Sequence, residues 1–231
     1  MPKSHGKIIW VGEHACVYGR PAIVSSIPLT IEDENLPRGV GLGYSSAYLL
    51  SVFRKCGGDP AKELEFVNAI ERELNSHFSG VDSFMCLNDG VYKWKDGASK
   101  ELPEIFFPYF IVNTGCEEST KEMTDMVAAS GRDGLFDAIG VASDTFQEGL
   151  LAADIGMIES AIRDADSALR ELGVVDSVAS ALIDQLSSLG LSCKITGAGG
   201  IKCGSGCVLG VGVLPDDIKS DLDVVYEFIP S

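Results

Sequence analysis

The first apolar run of the chain, Lys7-Ile-Ile-Trp-Val11, is short and unbroken, and Ala22-Ile-Val-Ser-Ser26 follows it at hairpin distance. The two read as paired strands, with Gly12 and Gly19 supplying turn chemistry between them. Pro37-Arg-Gly-Val-Gly-Leu-Gly43 is too rich in glycine for regular structure, and behind it Ser46, Leu49, Leu50 and Phe53 recur at helical spacing. Gly57-Gly58 stops that helix and Asp59-Pro60 starts another, with Leu64, Val67, Ile70 and Leu74 as its predicted buried face. Strands are expected over 91–94 and 108–113. The capping box Ser119-Thr-Lys-Glu122 opens a helix closed by Gly131. Helical patterns occupy about 134–150, 153–171 and 176–189. After Gly190 the period drops to two, predicting strands over 193–196, 207–214 and 224–229. Strands at both ends with helices between them predict a mixed α+β fold. The polar stretch Asp96–Glu104 marks the expected boundary between residues 1–104 and 105–231.

Composition narrows the partners. Eighteen Lys and Arg against 34 Asp and Glu leave a net charge of −16, which repels phosphate backbones and argues against nucleic acid. No run reaches the length of a membrane span, so neither nucleic acid nor membrane is an expected partner. The seven cysteines are odd in number and scattered, which suits a reducing, cytoplasmic setting. Cys203-Gly-Ser-Gly-Cys207 has no second pair and no nearby histidine, too few ligands for zinc.

Three glycine-bearing stretches and one acid carry the candidate chemistry. In Pro37-x-Gly-x-Gly-Leu-Gly-x-Ser-Ser46 the glycines permit close backbone approach. The helix behind them aims N–H groups and a positive dipole at an anion, as a phosphate cradle needs. Neither P-loop nor Rossmann spacing fits it, and a plain tight turn is the alternative. Gly12-Glu-His-Ala-x-Val-Tyr-Gly-x-Pro-Ala22, Ser79-Gly-Val-Asp82 and Lys194-Ile-Thr-Gly-Ala-Gly-Gly200 are each weak alone.

In this order, and with Lys7 before them, the four stretches resemble the GHMP small-molecule kinases, and within them the mevalonate kinase branch. Asn113-Thr-Gly-x-x-x-Ser-Thr-Lys-Glu122 and Leu172-Gly-Val174 support the branch. The resemblance implies a two-lobed α+β fold: a shortened N-terminal lobe like that of ribosomal protein S5 and a ferredoxin-like C-terminal lobe. It implies ATP and Mg²⁺ as cofactors, mevalonate or a similar alcohol as substrate, and a homodimer by analogy. Asp82 falls on the catalytic acid and Lys7 on its lysine partner. Gly39, Gly41, Leu42, Gly43, Tyr44, Ser45 and Ser46 fall on the nucleotide loop. Ser45 and Glu71, the latter eleven residues before Asp82, fall on the metal ligands. Glu13, His14, Tyr48, Thr120 and Ala198 fall around the substrate pocket.

The chain departs from the family pattern in three places. Only 14 residues separate Ala22 from Pro37, where the family carries a much longer insert with part of its adenine pocket. Tyr44 stands where serine is usual, and Ile201 and Lys202 stand where glycines are expected. Two classes of function therefore stay open. One is an ATP-dependent kinase acting on the mevalonate C5 hydroxyl or another small alcohol, phosphomevalonate included. The other is a catalytically silent GHMP-fold binding or regulatory protein. For a phosphorylated substrate, Arg20, Arg38 and Lys202 are the expected cations.

Overall fold

The computed structural model describes residues 3–115, 119–202 and 204–230 of the 231-residue chain. Strands β1 (His5–Val11), β2 (Ala22–Thr30), β3 (Val91–Lys95) and β4 (Ala98–Leu102) form an antiparallel sheet in that order. β1 and β2 pair with Lys7 opposite Ser26 and Ile8 opposite Ser25. The unbroken apolar run of β1 has a physical reason: both faces of the strand are covered. Ile8 and Trp10 enter the main core, whereas Ile9 joins a smaller cluster with Ala22, Val24, Val81, Met85 and Trp94. A strand buried on both sides does not alternate.

The stretch Asp96–Glu104, where the boundary is expected, holds β4, which ends the first sheet. Four of its five residues are exposed, because an edge strand satisfies its backbone on one side and faces water with the rest. The exposed edge accounts for its polar sequence.

The second sheet is also antiparallel, in the order β6 (Ser192–Thr196), β7 (Cys207–Val211), β5 (Tyr109–Asn113), β8 (Asp223–Phe228). Gly210 in β7 has to be glycine, because an added Cβ would lie 2.1 Å from the Phe110 ring opposite it. Helices α1 (Tyr44–Lys55), α2 (Glu63–Leu74) and the short α3 (Val81–Met85) belong to the first half, and the sequence pattern missed α3. In α2 only Val67 and Glu71 are buried, while Leu64 and Leu74 are exposed. The predicted apolar face is therefore only partly inward, and a carboxylate takes the place one turn after Val67.

Helix α4 (Thr120–Ala129) starts as its capping box predicts, Ser119 Oγ accepting from the Glu122 N–H. The Glu122 carboxylate, however, turns toward Lys202 at 3.6 Å. Helices α5 (Asp133–Ala152), α6 (Ile155–Leu172) and α7 (Ser177–Ser188) follow, the last two capped by Asp154 and Asp176. α5 packs on α6 and on β1 and β2, and α6 packs on β6. These contacts build the main core. Trp10 stands in it with Tyr109, Phe107 and Phe146 at ring-centroid distances of 4.9, 5.5 and 5.5 Å, its indole N–H donating to Ser25 Oγ at 2.9 Å. The α+β class expected from the sequence is the class observed.

Candidate active site

β1 carries Lys7 into the protein with almost no side-chain exposure. Its backbone N–H donates to Leu42 O at 2.9 Å and its ammonium donates to Gly41 O at 3.1 Å, so one residue ties the glycine loop to the strand edge. The same ammonium lies 3.1 Å from Asp82 Oδ1. Asp82 sits in the first turn of α3, entered through Gly80 at φ 79°, and keeps 42% of its side chain exposed. The two residues singled out from sequence, 75 positions apart, thus meet at the wall of a cavity of about 400 Å³.

The glycine loop forms another wall. Gly39, Gly41 and Gly43 all take the left-handed conformation. At Gly41 a Cβ would meet the Thr196 carbonyl oxygen at 2.3 Å, so that turn lies directly against the third motif. Gly43 caps α1 with no side-chain hydrogen bond. The helix therefore presents its positive end beside the cavity without a side chain claiming it. Gly39, Gly41, Gly43, Tyr44 and Ser45 line the cavity; Leu42 is buried in the core instead.

Glu71 is 7% exposed, with its Oε1 accepting from Ser46 Oγ and its Oε2 from Asn75 Nδ2, both at 2.8 Å. Burial, and then the neighbouring Asp82 charge, push its carboxyl up from the ordinary value. The hydroxyl in contact with Glu71 is thus Ser46, while Ser45 faces the cavity. Among the described residues no group of three or more His, Cys, Asp or Glu is placed to hold a metal ion.

The loop after β1 brings Glu13 and His14 to the opposite wall. His14 adopts φ 59° and its Nε2 pairs with Ala198 O at 3.0 Å. Burial drops its pKa to about 4, so the ring is neutral near pH 7 and Nε2 is the donor. Glu13 is fully buried and paired with the equally buried Lys194 of β6. Thr196 Oγ1 bridges the backbone N–H and carbonyl of Ile9 at 3.2 Å each, which stitches β6 to β1 under the site. Thr120 and Ala198 also line the cavity. Tyr48 does not; it is 49% exposed and stacks on Tyr44 at 5.9 Å, because one helical turn places it on the outer side of α1.

Sequence reasoning missed several lining residues. His77, Phe78 and Lys121 face the cavity, with the His77 ring 3.5 Å from Asp125 and Lys121 bridged to the same carboxylate. A loop His-Phe pair gives no signal in sequence, although Lys121 lies inside a quoted motif. The three expected cations are elsewhere: Arg20 pairs with Asp137 at 2.8 Å, Lys202 with Glu122, and Arg38 is not in the lining. Neither Ile201 nor Lys202 has a positive φ, so that loop does without the geometry its missing glycines would allow. The short stretch after Ala22 completes β2 and closes in a turn, where Asn35 Oδ1 accepts from the Thr30 N–H at 2.8 Å. Cys116 and Cys203 lie outside the described residues, and the other five cysteines are free.

No protein-family model matches the chain. A curated mevalonate kinase from Archaeoglobus fulgidus is 30% identical to it over 275 aligned residues, covering 91% of this chain and 92% of the relative. The chain belongs to the GHMP kinase family. The aligned length exceeds the 231 residues of this member, so the relative carries residues with no counterpart here, in keeping with the shortened first half. Two solved structures share the GHMP kinase fold with a TM-score of 0.76 each. One is L. major mevalonate kinase in complex with R-mevalonate, at 16% identity and covering 100% of this chain and 97% of its own. The other is Streptococcus pneumoniae phosphomevalonate kinase with phosphomevalonate and AMPPNP, at 14% identity and covering 98% of both.

Proposed function

We propose that this GHMP kinase transfers the γ-phosphoryl group of ATP to the C5 hydroxyl of mevalonate, giving 5-phosphomevalonate and ADP. The observation that carries the reading is the 3.1 Å approach of Lys7 Nζ to Asp82 Oδ1 on the wall of a cavity that the glycine loop also lines. In the proposed step the substrate oxygen forms a bond to the γ-phosphorus as the bond from that phosphorus to the β–γ bridging oxygen breaks. The hydroxyl proton passes to Asp82. A carboxylate is a weak base toward an alcohol, so most of the acceleration comes from alignment and charge stabilisation. Lys7 supplies the second by facing the developing alkoxide. The glycine loop and the open end of α1 receive the phosphates through backbone N–H groups.

Mg²⁺ fits the donors present, since it takes hard oxygens and needs only one or two from protein. Ser45 and Glu71 would hold it, and when bound it neutralises charge on the phosphates. The Archaeoglobus fulgidus relative and the L. major structure support the choice of substrate. The free thiols of the described cysteines are compatible with a cytoplasmic enzyme.

Two observations favour other readings. Lys121 on the cavity wall would suit a substrate with more negative charge, such as phosphomevalonate, if it exchanged its contact with Asp125 for the substrate. Tyr44 in the phosphate loop, and a turn at 31–35 that contributes nothing to the cavity lining, favour a silent binding protein. ADP release from purified protein with ATP, Mg²⁺ and a panel of mevalonate, phosphomevalonate and sugars separates them. Turnover selective for mevalonate and lost in Asp82→Ala is the expected result. Nucleotide binding without turnover on any alcohol would reject the kinase reading. Ser45→Ala and Glu71→Ala are expected to weaken Mg-ATP handling more than mevalonate binding.

A further inference from the structure

The proposed reaction draws on Lys7, Asp82, Ser45, Glu71 and the backbone of the glycine loop, all of them polar. It leaves the apolar part of the cavity wall without a role: Tyr44, Leu74 and Phe78 line the same space. Leu74 is 55% exposed, so it faces the opening and not the core. Tyr44 is placed most sharply of the three. It is the first residue of α1 and follows Gly43 directly. Its backbone N–H is among those that a helix start leaves free, while its ring stands at the rim of the loop. Backbone and side chain can therefore act separately at this one position, the N–H toward a phosphate oxygen and the ring toward something flat.

The ring is also held in place. Tyr48, one turn further on, stacks against it at a centroid distance of 5.9 Å and an interplanar angle of 9°. Tyr44 lies inside the lining and Tyr48 outside it, so Tyr48 covers one face of the Tyr44 ring and the cavity meets the other side. A ring backed in this way has little rotamer freedom left to lose when a ligand lands on it. Polar side chains of the α2 end and α4 are already engaged: Asn75 donates to Glu71 at 2.8 Å, and His77 and Lys121 both face Asp125. What this part of the wall has left to give is stacking, which suits a nucleobase because every base has a π-face.

We propose that Tyr44, backed by Tyr48, is the base platform of this chain: the purine of the phosphoryl donor stacks on the Tyr44 ring while its triphosphate lies on the glycine loop. The inference rests on the proposed function for the position of the triphosphate and adds where, and by what force, the rest of the nucleotide is held. Tyr44 thereby becomes the residue that selects a nucleotide over a bare polyphosphate, and its bulk in the loop acquires a purpose.

Calorimetric titration of ATP and of inorganic tripolyphosphate, each with Mg²⁺, into the full chain tests this without needing turnover. Wild type is expected to bind ATP about 5- to 100-fold more tightly than tripolyphosphate. Tyr44→Ser should lose ATP affinity by that factor and keep tripolyphosphate within about twofold, because the backbone N–H groups stay. Tyr48→Ala should fall between wild type and Tyr44→Ser, since the platform keeps its ring and loses its backing. Tyr44→Trp should retain the preference. Its indole faces the cavity in a protein whose own Trp10 and Trp94 are buried, so its fluorescence should change with ATP and not with tripolyphosphate. If Tyr44→Ser fails to fold, that signal carries the test. A tyrosine that only packs the helix start would move both ligands together and leave their ratio unchanged. Equal affinity in wild type, a preference that survives Tyr44→Ser, or no binding of either ligand would overturn the proposal. ADP release with mevalonate is measured separately: turnover without the preference sinks only the platform, whereas the preference without turnover sinks only the kinase reading.

Discussion

Two lysine–carboxylate pairs flank the same cavity. In Lys7–Asp82 the lysine is sealed but the aspartate keeps 42% of its side chain in contact with the cavity mouth; in Lys194–Glu13 both partners are sealed. The first carboxylate can meet a ligand and exchange a proton, since water reaches it. The second accepts from the Lys194 ammonium through Oε1, and its Oε2 is buried without a partner. Similar groups thus differ in what they can do, the first open to a ligand as the proposed turnover requires and the second closed, and burial makes the difference. The two can be pulled apart by substitution.

The largest effect is expected at the exposed pair. Asp82→Asn keeps the shape and removes the proton acceptor, and should lower turnover by about 10²–10⁴-fold in an ADP-release assay. Its stability in urea should fall by about 1–2 kcal/mol, because the sealed Lys7 ammonium loses its counter-charge but keeps an amide oxygen to donate to. Turnover near wild type in this variant would remove Asp82 from the chemistry.

At the buried pair the order reverses. Glu13→Leu leaves an ammonium with no counter-charge and is expected to cost about 3–5 kcal/mol in urea unfolding. Glu13→Leu/Lys194→Met should recover most of that loss, since apolar side chains of similar volume replace the pair. If the double variant is as unstable as the single one, the pair is a genuine source of stability and the contrast drawn above fails.

How much of this was legible in the sequence follows from the range of each signal. Lys7 and Asp82 could be singled out because the order of short motifs around them resembles the GHMP kinases, and those motifs are legible because they carry local backbone demands: Gly41 is fixed by the Thr196 carbonyl 2.3 Å from where a side chain would begin. The partner of Glu13 could not be found. Lys194 is 181 residues away on another sheet, and in sequence it is one polar residue in a strand. The same holds for β4, whose exposed edge reads as a linker, and for α2, where a buried Glu71 broke the apolar face that Leu64 and Leu74 seemed to extend. Pattern reports burial only where burial is apolar. Tyr48, which the resemblance puts at the pocket, lies on the exposed side of α1 outside the cavity lining, since a matched position does not say which face of the helix the cavity takes.

His14 sharpens the comparison through pH. Its folded pKa of about 4 lies below the ordinary 6.5 because burial penalises the cation. The unfolded chain therefore binds a proton as pH falls through 6.5, while the folded one resists until about 4. Stability present above pH 6.5 is lost across that window, by up to about 3 kcal/mol. His14→Asn, which keeps a polar amide but removes the titrating ring, should flatten the fall by about that amount in urea titrations at pH 7 and pH 4. An unchanged slope would mean that the ring is solvated in the folded protein.

The smallest effect concerns the carboxylate that has no lysine at all. Glu71 is 7% exposed and is held by two neutral donors, Ser46 and Asn75. It is an intermediate case between the two pairs: buried like Glu13, yet placed on the cavity wall like Asp82. A hydrogen bond to a buried charged group contributes about 1.5–3 kcal/mol, so Ser46→Ala should destabilise by roughly that range in urea. Ser45→Ala, one residue earlier and exposed to the cavity, should change stability by less than about 0.5 kcal/mol. The pair of variants separates a serine that holds the acid from one that faces the ligand. If Ser45→Ala proves the costlier of the two, the clamp on Glu71 runs through the other hydroxyl, and the division of labour between the two serines is reversed.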